Sequence, residues 1–176
     1  MSTTQNPNVL KATRGIIYVI MGLAAAVAVL LSIVAVVLPF HWTEAVAALA
    51  KEQPKLDPDG LLPLLYVVFA FAIALLGVLW TIMRKLLAIV GTVADGDPFI
   101  RANAVRLKAI GWMMTAVYIL GFPLGLVAKR VADKIGDNHV SVDVSLTGLL
   151  AILLVFVLAG VFEQGAAMRE EMEGTV

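Results

Sequence analysis

The sequence predicts an all-α integral membrane protein, with four transmembrane helices in an antiparallel bundle and cytoplasmic helix extensions. Three observations carry that expectation. The 176 residues are 61% apolar and only 15% charged, with a mean hydropathy of +0.95. A soluble domain carries roughly 25% charged residues. The apolar residues gather in four blocks, and none of the blocks contains a charge. Each block is about the 17–25 residues that a helix needs to cross a bilayer. A helix packed on a soluble core would keep a polar face, and these blocks have none.

Taken in order, the chain opens on the polar run MSTTQNPNVLKATR. Its Lys11 and Arg14 resemble the charged start of a secretory signal. The apolar stretch behind them, 15–38, is too long for such a signal and lacks a small-residue cleavage pattern, so it reads as the first retained span. The segment FHWTEAVAALAKEQPKLDPDG, 40–60, predicts a short amphipathic helix capped by Thr43 and stopped by Pro54. Phe40 and Trp42 suit a membrane interface. The second span, 61–83, runs on past Arg84 and Lys85 through the apolar LLAIVGTV to about Val93. Asp95-Gly96-Asp97-Pro98 then breaks it. Asp97 is placed as N-cap of a new helix whose first residue is Pro98, where the missing N–H costs nothing. That helix continues into the third span, 109–128. Within it, Gly121-Phe-Pro-Leu-Gly125 reads first as close helix packing with a proline kink, and second as a hinge or self-association face. The run from Gly22 to Ala28 offers a similar packing surface, also usable by a homo-oligomer. The segment DNHVSVDVS, 137–145, alternates like an extended strand and leads into the fourth span, 145–162. All 176 residues form one membrane domain.

Orientation follows from the basic residues. Lys11, Arg14, Arg84, Lys85, Arg101, Arg106, Lys108 and Arg169 fall on one side, and Lys51, Lys55, Lys129, Arg130 and Lys134 on the other. This bias of eight against five puts both termini in the cytoplasm.

Helical spacing sorts the polar residues of the 94–112 run. Phe99, Asn103, Arg106, Ile110, Met113 and Val117 share one face, and Arg101, Val105, Lys108 and Trp112 the other. The first face is apolar further along, so it is expected to point into the bundle. An interior arginine needs a partner. Glu163, at the matching depth of the fourth helix on a face with Ile152, Phe156 and Ala159, is the expected one. Asn103 is expected to bond the Asp95–Asp97 turn. Arg101 and Lys108 read as headgroup anchors on the opposite face.

The pattern argues against several chemistries. There are no cysteines, which excludes thiol nucleophiles and disulfides. With no Asp, Glu, His, Lys or Arg inside any span and Asp97 assigned to capping, no catalytic constellation is expected. His41 and His139, near Glu44, Asp137 and Asp143, lack ligand spacing for a metal. No cofactor pattern occurs. Zero net charge gives no general attraction to nucleic acid. A transporter or channel, or a transport accessory acting as an oligomer, is the alternative reading, because Ser32, Thr81, Thr115, Tyr66 and Tyr118 and the GFPLG break could line a path.

Two segments, GDPFIRANAVRLKAIGW and VFEQGAAMREEMEGTV, resemble the signature regions of the bacterial domain-of-unknown-function 2975 membrane family. Gly96, Pro98, Phe99, Asn103, Phe162, Gly165, Arg169, Glu170, Glu171, Thr175 and Val176 match the family pattern. Met168 stands where the family has Leu, and Gly174 replaces its closing Leu. The resemblance implies a four-helix inner-membrane protein, often encoded beside a small helix-turn-helix regulator. From it follows the expectation of a non-enzymatic membrane-anchored regulator or sensor. Its docking surface for such a partner would be the 94–108 overhang and the 163–176 tail, whose Arg169, Glu170 and Glu171 offer charge.

Overall fold

A computed structural model describes residues 7–136 and 145–173. Five α-helices appear among them: α1 (Pro7–Val37), α2 (Trp42–Glu52), α3 (Leu61–Ala94), α4 (Arg101–Ile135) and α5 (Leu146–Glu173). A 3-10 turn, Leu38–His41, joins α1 to α2. Four helical stretches are long and apolar enough to cross a membrane, and they contain the four predicted spans. The chain is a multi-pass membrane protein. As expected, α3 runs past its span to Ala94, and α5 continues beyond 162. The segment expected to be extended at 137–145 lies outside the described residues, apart from Ser145.

The chain divides into two compact units. The first holds Met1–Leu23, Val78–Tyr118 and Ser145–Val176. Its centre is Ile89 of α3, Leu107 and Ile110 of α4 and Ala159 of α5, with Leu86, Met113, Val155 and Phe162 against them. Ile17 and Met21 are the buried positions of α1 here. Here α4 and α5 run antiparallel. Lys108 meets Glu163, while ten residues further along α4 the Tyr118 hydroxyl donates to the Ser145 carbonyl, 3.1 Å away. Between those points a Cβ at Gly111 would touch the Phe156 ring at 3.0 Å. A Cβ at Gly148 would touch Tyr118 at 3.1 Å. Glycine at both positions lets an aromatic ring lie on the opposite backbone.

The second unit holds Ala24–Gly77 and Ile119–Val144. Here Tyr66 of α3 donates to the Ala35 carbonyl of α1 at 2.8 Å. Helix α2 turns Trp42, Ala45, Val46 and Leu49 inward and leaves Thr43, Glu44, Ala47 and Lys51 exposed. The short amphipathic helix is therefore present, but its expected cap is not. His41 occupies the N-cap position and makes no side-chain cap bond. The 3-10 turn leads α1 directly into α2, so preceding carbonyls take the amides that Thr43 would have served. Pro54 does follow the helix end, where the Gln53 amide bonds the Leu49 carbonyl at 2.8 Å. The loop behind it is tied to α4 by Lys134, whose ammonium donates to the Asp57 carboxylate and the Asp59 carbonyl, each at 2.6 Å.

Beside the large apolar residues of the core, small ones are buried and many large ones face outward. Ala24, Ala104, Ala132, Ala159 and Ala166 are buried, whereas Leu23, Leu30, Leu150, Leu154 and Val157 are exposed. Lipid tails are as apolar as leucine, so burying leucine gains little, and small residues let helices approach. Gly121 does not act in this way: a Cβ there would meet nothing within 4 Å, and Phe122 is exposed. The close-packing role expected of Gly121-Phe-Pro-Leu-Gly125 is thus not realised at Gly121 within the chain, although α4 continues helically through Pro123. Gly22 is likewise open.

The Lys134 hydrogen bond, followed by that of the Asp59 amide, holds the Asp57 carboxyl below its usual value of 3.8. A lowered folded-state pKa means that the contact is intact above pH 3.8 and is lost as pH falls through the lowered value. In a carbon-detected NMR titration the Asp57 carboxyl titrates below 3.8 in the native chain and moves upward in Lys134→Met. An unchanged titration in that variant refutes the assignment.

Candidate site at the α3–α4 turn and the α5 end

The polar residues singled out in the sequence gather at one end of the first unit. The chain leaves α3 through a turn centred on Gly96, whose φ is +83°. The Gly96 amide donates to the Val93 carbonyl at 3.2 Å and the Asp97 amide to the Thr92 carbonyl at 2.9 Å. This pair of bonds is a Schellman motif, which needs a residue with positive φ at the Gly96 position. Asp97 therefore completes the end of α3 instead of capping α4, which corrects the expectation from sequence. Its amide is already spent on Thr92, and its carboxylate turns to Arg169 of α5. Helix α4 starts at Arg101, not at Pro98, and its first turn closes with the Asn103 amide on the Ile100 carbonyl at 2.9 Å.

Asn103 is fully buried, the one buried polar or charged side chain among the described residues. Its amide nitrogen donates to the Thr92 hydroxyl at 2.6 Å and to the Pro98 carbonyl at 2.9 Å. Its oxygen accepts from Arg106 at 2.6 Å. The Thr92 hydroxyl in turn donates to the Ile89 carbonyl at 2.8 Å. Protons thus run Arg106 to Asn103 to Thr92 to Ile89, with each acceptor filled. The expected bond from Asn103 to the Asp95–Asp97 turn is instead made to Thr92 and Pro98, the residues flanking it.

The expected Arg106–Glu163 pair is not formed. Arg106 is spent on Asn103, and Glu163 accepts from Lys108 at 2.8 Å. Depth along the helix was read correctly, but the face was not. Glu163 is exposed, on the flank of α5 beside the outer face of α4 where Lys108 stands. Lys108 is thus an ion-pair partner as well as a surface residue. Val105, Trp112 and Arg101 are exposed on that outer face, as spacing predicts. Thr92 was missed. Its signal was a hydroxyl in the last turn before the glycine of a helix stop, eleven residues ahead of the one buried asparagine.

Phe99 leans over α5. Its ring centroid lies 5.2 Å from that of Phe162. A Cβ on Gly165 would sit 2.6 Å from the Phe99 ring, so the ring needs a bare backbone beneath it. Beside it an open groove of about 900 Å³ is lined by Pro98, Phe99, Val161, Met168, Arg169 and Met172, with Glu171 at its rim. Glu170 is exposed. Of the predicted site residues, the structure thus brings Asp97, Pro98, Phe99, Gly165 and Arg169 to one surface and Asn103 and Arg106 beneath it. It leaves Arg101 and Glu170 outward and joins Glu163 to Lys108.

Among the described residues no group of three metal-ligating side chains occurs. His41 lies 3.1 Å from Glu44, both exposed, and His139, Asp137 and Asp143 lie outside the described residues.

Two substitutions report on this end. Asn103→Ala leaves Pro98, Thr92 and Arg106 without their partner and destabilises the unit by about 1–3 kcal/mol. Equilibrium unfolding in mixed micelles measures it, and an unaltered midpoint excludes the network. Gly165→Ala forces Phe99 off Phe162, at about 1–3 kcal/mol. Its signature is loss of the ring-current shift on the Phe99 protons, which a tolerated methyl would leave in place.

The family model described as protein of unknown function (DUF2975) matches residues 62–176. That match spans α3, α4 and α5 and every residue of the site. Comparisons with curated proteins and with solved structures return no match.

Proposed function

The chain belongs to this family of proteins of unknown function, DUF2975, and from that premise we propose that it is a non-enzymatic, membrane-anchored regulator or sensor. Its partner is a small cytoplasmic helix-turn-helix protein, the kind of regulator that the family resemblance implies. Both termini and the α3–α4 turn face the cytoplasm of a bacterial inner membrane in this reading, in keeping with the basic-residue bias.

One observation carries the proposal: the open groove formed by Phe99, Val161, Met168 and Met172. Methionines are flexible and polarizable, and proteins use them on surfaces that must accept a partner helix. Glu171 in its lining favours a basic partner. The groove is built from the two signature segments alone. A shift in helix packing, caused by a lipid, a small hydrophobic ligand or membrane stress, would move Phe99 relative to Gly165 and release the partner.

Met168 and Met172 are 60% and 68% exposed, so replacing both does not disturb the core. The full chain in nanodiscs is titrated with a purified small helix-turn-helix protein, using interferometry. The native chain binds, and Met168→Glu with Met172→Glu weakens binding about tenfold. No binding by the native chain, or equal binding by the variant, defeats the docking reading. Solute flux in proteoliposomes without any partner would support the transport alternative instead.

A further inference from the structure

The basic residues of the first unit fall into two groups. On α4 and α5 they are engaged within the chain: Arg106 by Asn103, Lys108 by Glu163 and Arg169 by Asp97, with Arg101 the exception. On α1 and α3 they are not. Lys11, Arg14, Arg84 and Lys85 make no hydrogen bond or ion pair with any described residue. Neither α1 nor α3 contains an acid at all.

Arg14 is the informative member. It is half-buried, and its Nη2 lies 4.0 Å from where a Cβ on Gly91 of α3 would be. The guanidinium therefore rests against α3 at a position without a side chain. Lys11 and Tyr18 share its face of α1, one turn to either side, and Tyr18 is 59% exposed. Arg84 shares the Gly91 face of α3, two turns nearer the apolar span. Two bases and a tyrosine line one face of α1, and the Arg14 head rests on α3 at Gly91, where the apolar spans give way to polar sequence. Tyrosine is enriched at that level of a bilayer. A partly desolvated guanidinium needs an anionic acceptor, and its planar fork suits phosphate. The anion that is abundant at that depth is a lipid headgroup.

We propose that Arg14, with Lys11 one turn away, forms a binding site beside Gly91 of α3 for the phosphate of an anionic phospholipid. The site selects net negative lipids over zwitterionic ones because neither Arg14 nor Lys11 is paired with a carboxylate among the described residues.

The test uses the full chain in detergent, with phosphatidylglycerol or phosphatidylcholine of matched acyl chains added, and counts retained lipid by native mass spectrometry. The native chain prefers phosphatidylglycerol, and Arg14→Gln lowers that preference about fivefold. Arg14→Lys keeps part of it, and Lys51→Gln, on α2, keeps all of it. A thermal melt of each sample verifies folding. Should Arg14→Gln not fold, Lys11→Gln is read in its place and must lower the preference. Equal retention of the two lipids by the native chain overturns the proposal, as does an unchanged preference in a folded variant. Inorganic phosphate is the third arm. If it displaces phosphatidylglycerol at equal concentration, the site takes a soluble anion and the lipid assignment falls.

Discussion

Asn103 is fully buried, and the first unit is arranged around what that burial demands. A primary amide taken out of water has two donors and an acceptor to satisfy. The donors go to Thr92 and Pro98, which lie on either side of the α3–α4 turn, and the acceptor goes to Arg106 on α4 itself. One side chain therefore joins the end of one helix, the connecting turn and the start of the next. A leucine of similar size would fill the space but would leave the Pro98 carbonyl and the Arg106 guanidinium seeking other partners. In a bilayer protein this matters more than volume, because packing apolar groups against each other instead of against lipid gains little. A hydrogen-bonded junction supplies geometry that the apolar surfaces cannot.

That junction sets the rest of the site. With the turn held by Asn103, Gly96 can take the positive φ that stops α3, and Asp97 is presented sideways to α5. The Asp97–Arg169 pair is half-exposed, and such pairs contribute only about 0–1 kcal/mol. Its consequence is positional. It fixes the far turn of α5 beside Phe99, and the glycine at 165 lets the ring come down onto the α5 backbone.

Much of this was legible from residue spacing. Four uncharged blocks gave the spans, because helix length in a bilayer is set by its thickness. The face shared by Asn103 and Ile110 was correctly turned inward and that of Val105 and Trp112 outward, since helical period needs no tertiary knowledge. Partner choice was less legible. Arg106 and Lys108 lie at almost the same depth, and nothing in a linear sequence says how α5 is rotated about its axis. Only that rotation puts Glu163 on the flank facing Lys108. The role of Asp97 failed for a local reason. Asp before Pro is a good helix start, but Gly before Asp is also a good helix end, and both motifs compete for one residue. The end of α3 took it, because Asp97 offers the Schellman motif its amide while the carboxylate remains available to Arg169.

Glycine illustrates the same limit and shows where function can reside. Gly121 and Gly165 are both glycines in helix interiors. One faces open space and the other lies under a phenyl ring. The difference is the aromatic residue opposite, and Phe99 is placed there by the turn and not by its own helix, since it precedes Arg101. Phe99 thus sits on a turn, whereas Phe156 over Gly111 and Tyr118 over Gly148 belong to helix interiors. Of the three ring-on-glycine contacts among the described residues, the one at Phe99 is the one carried by a turn, and it borders the groove.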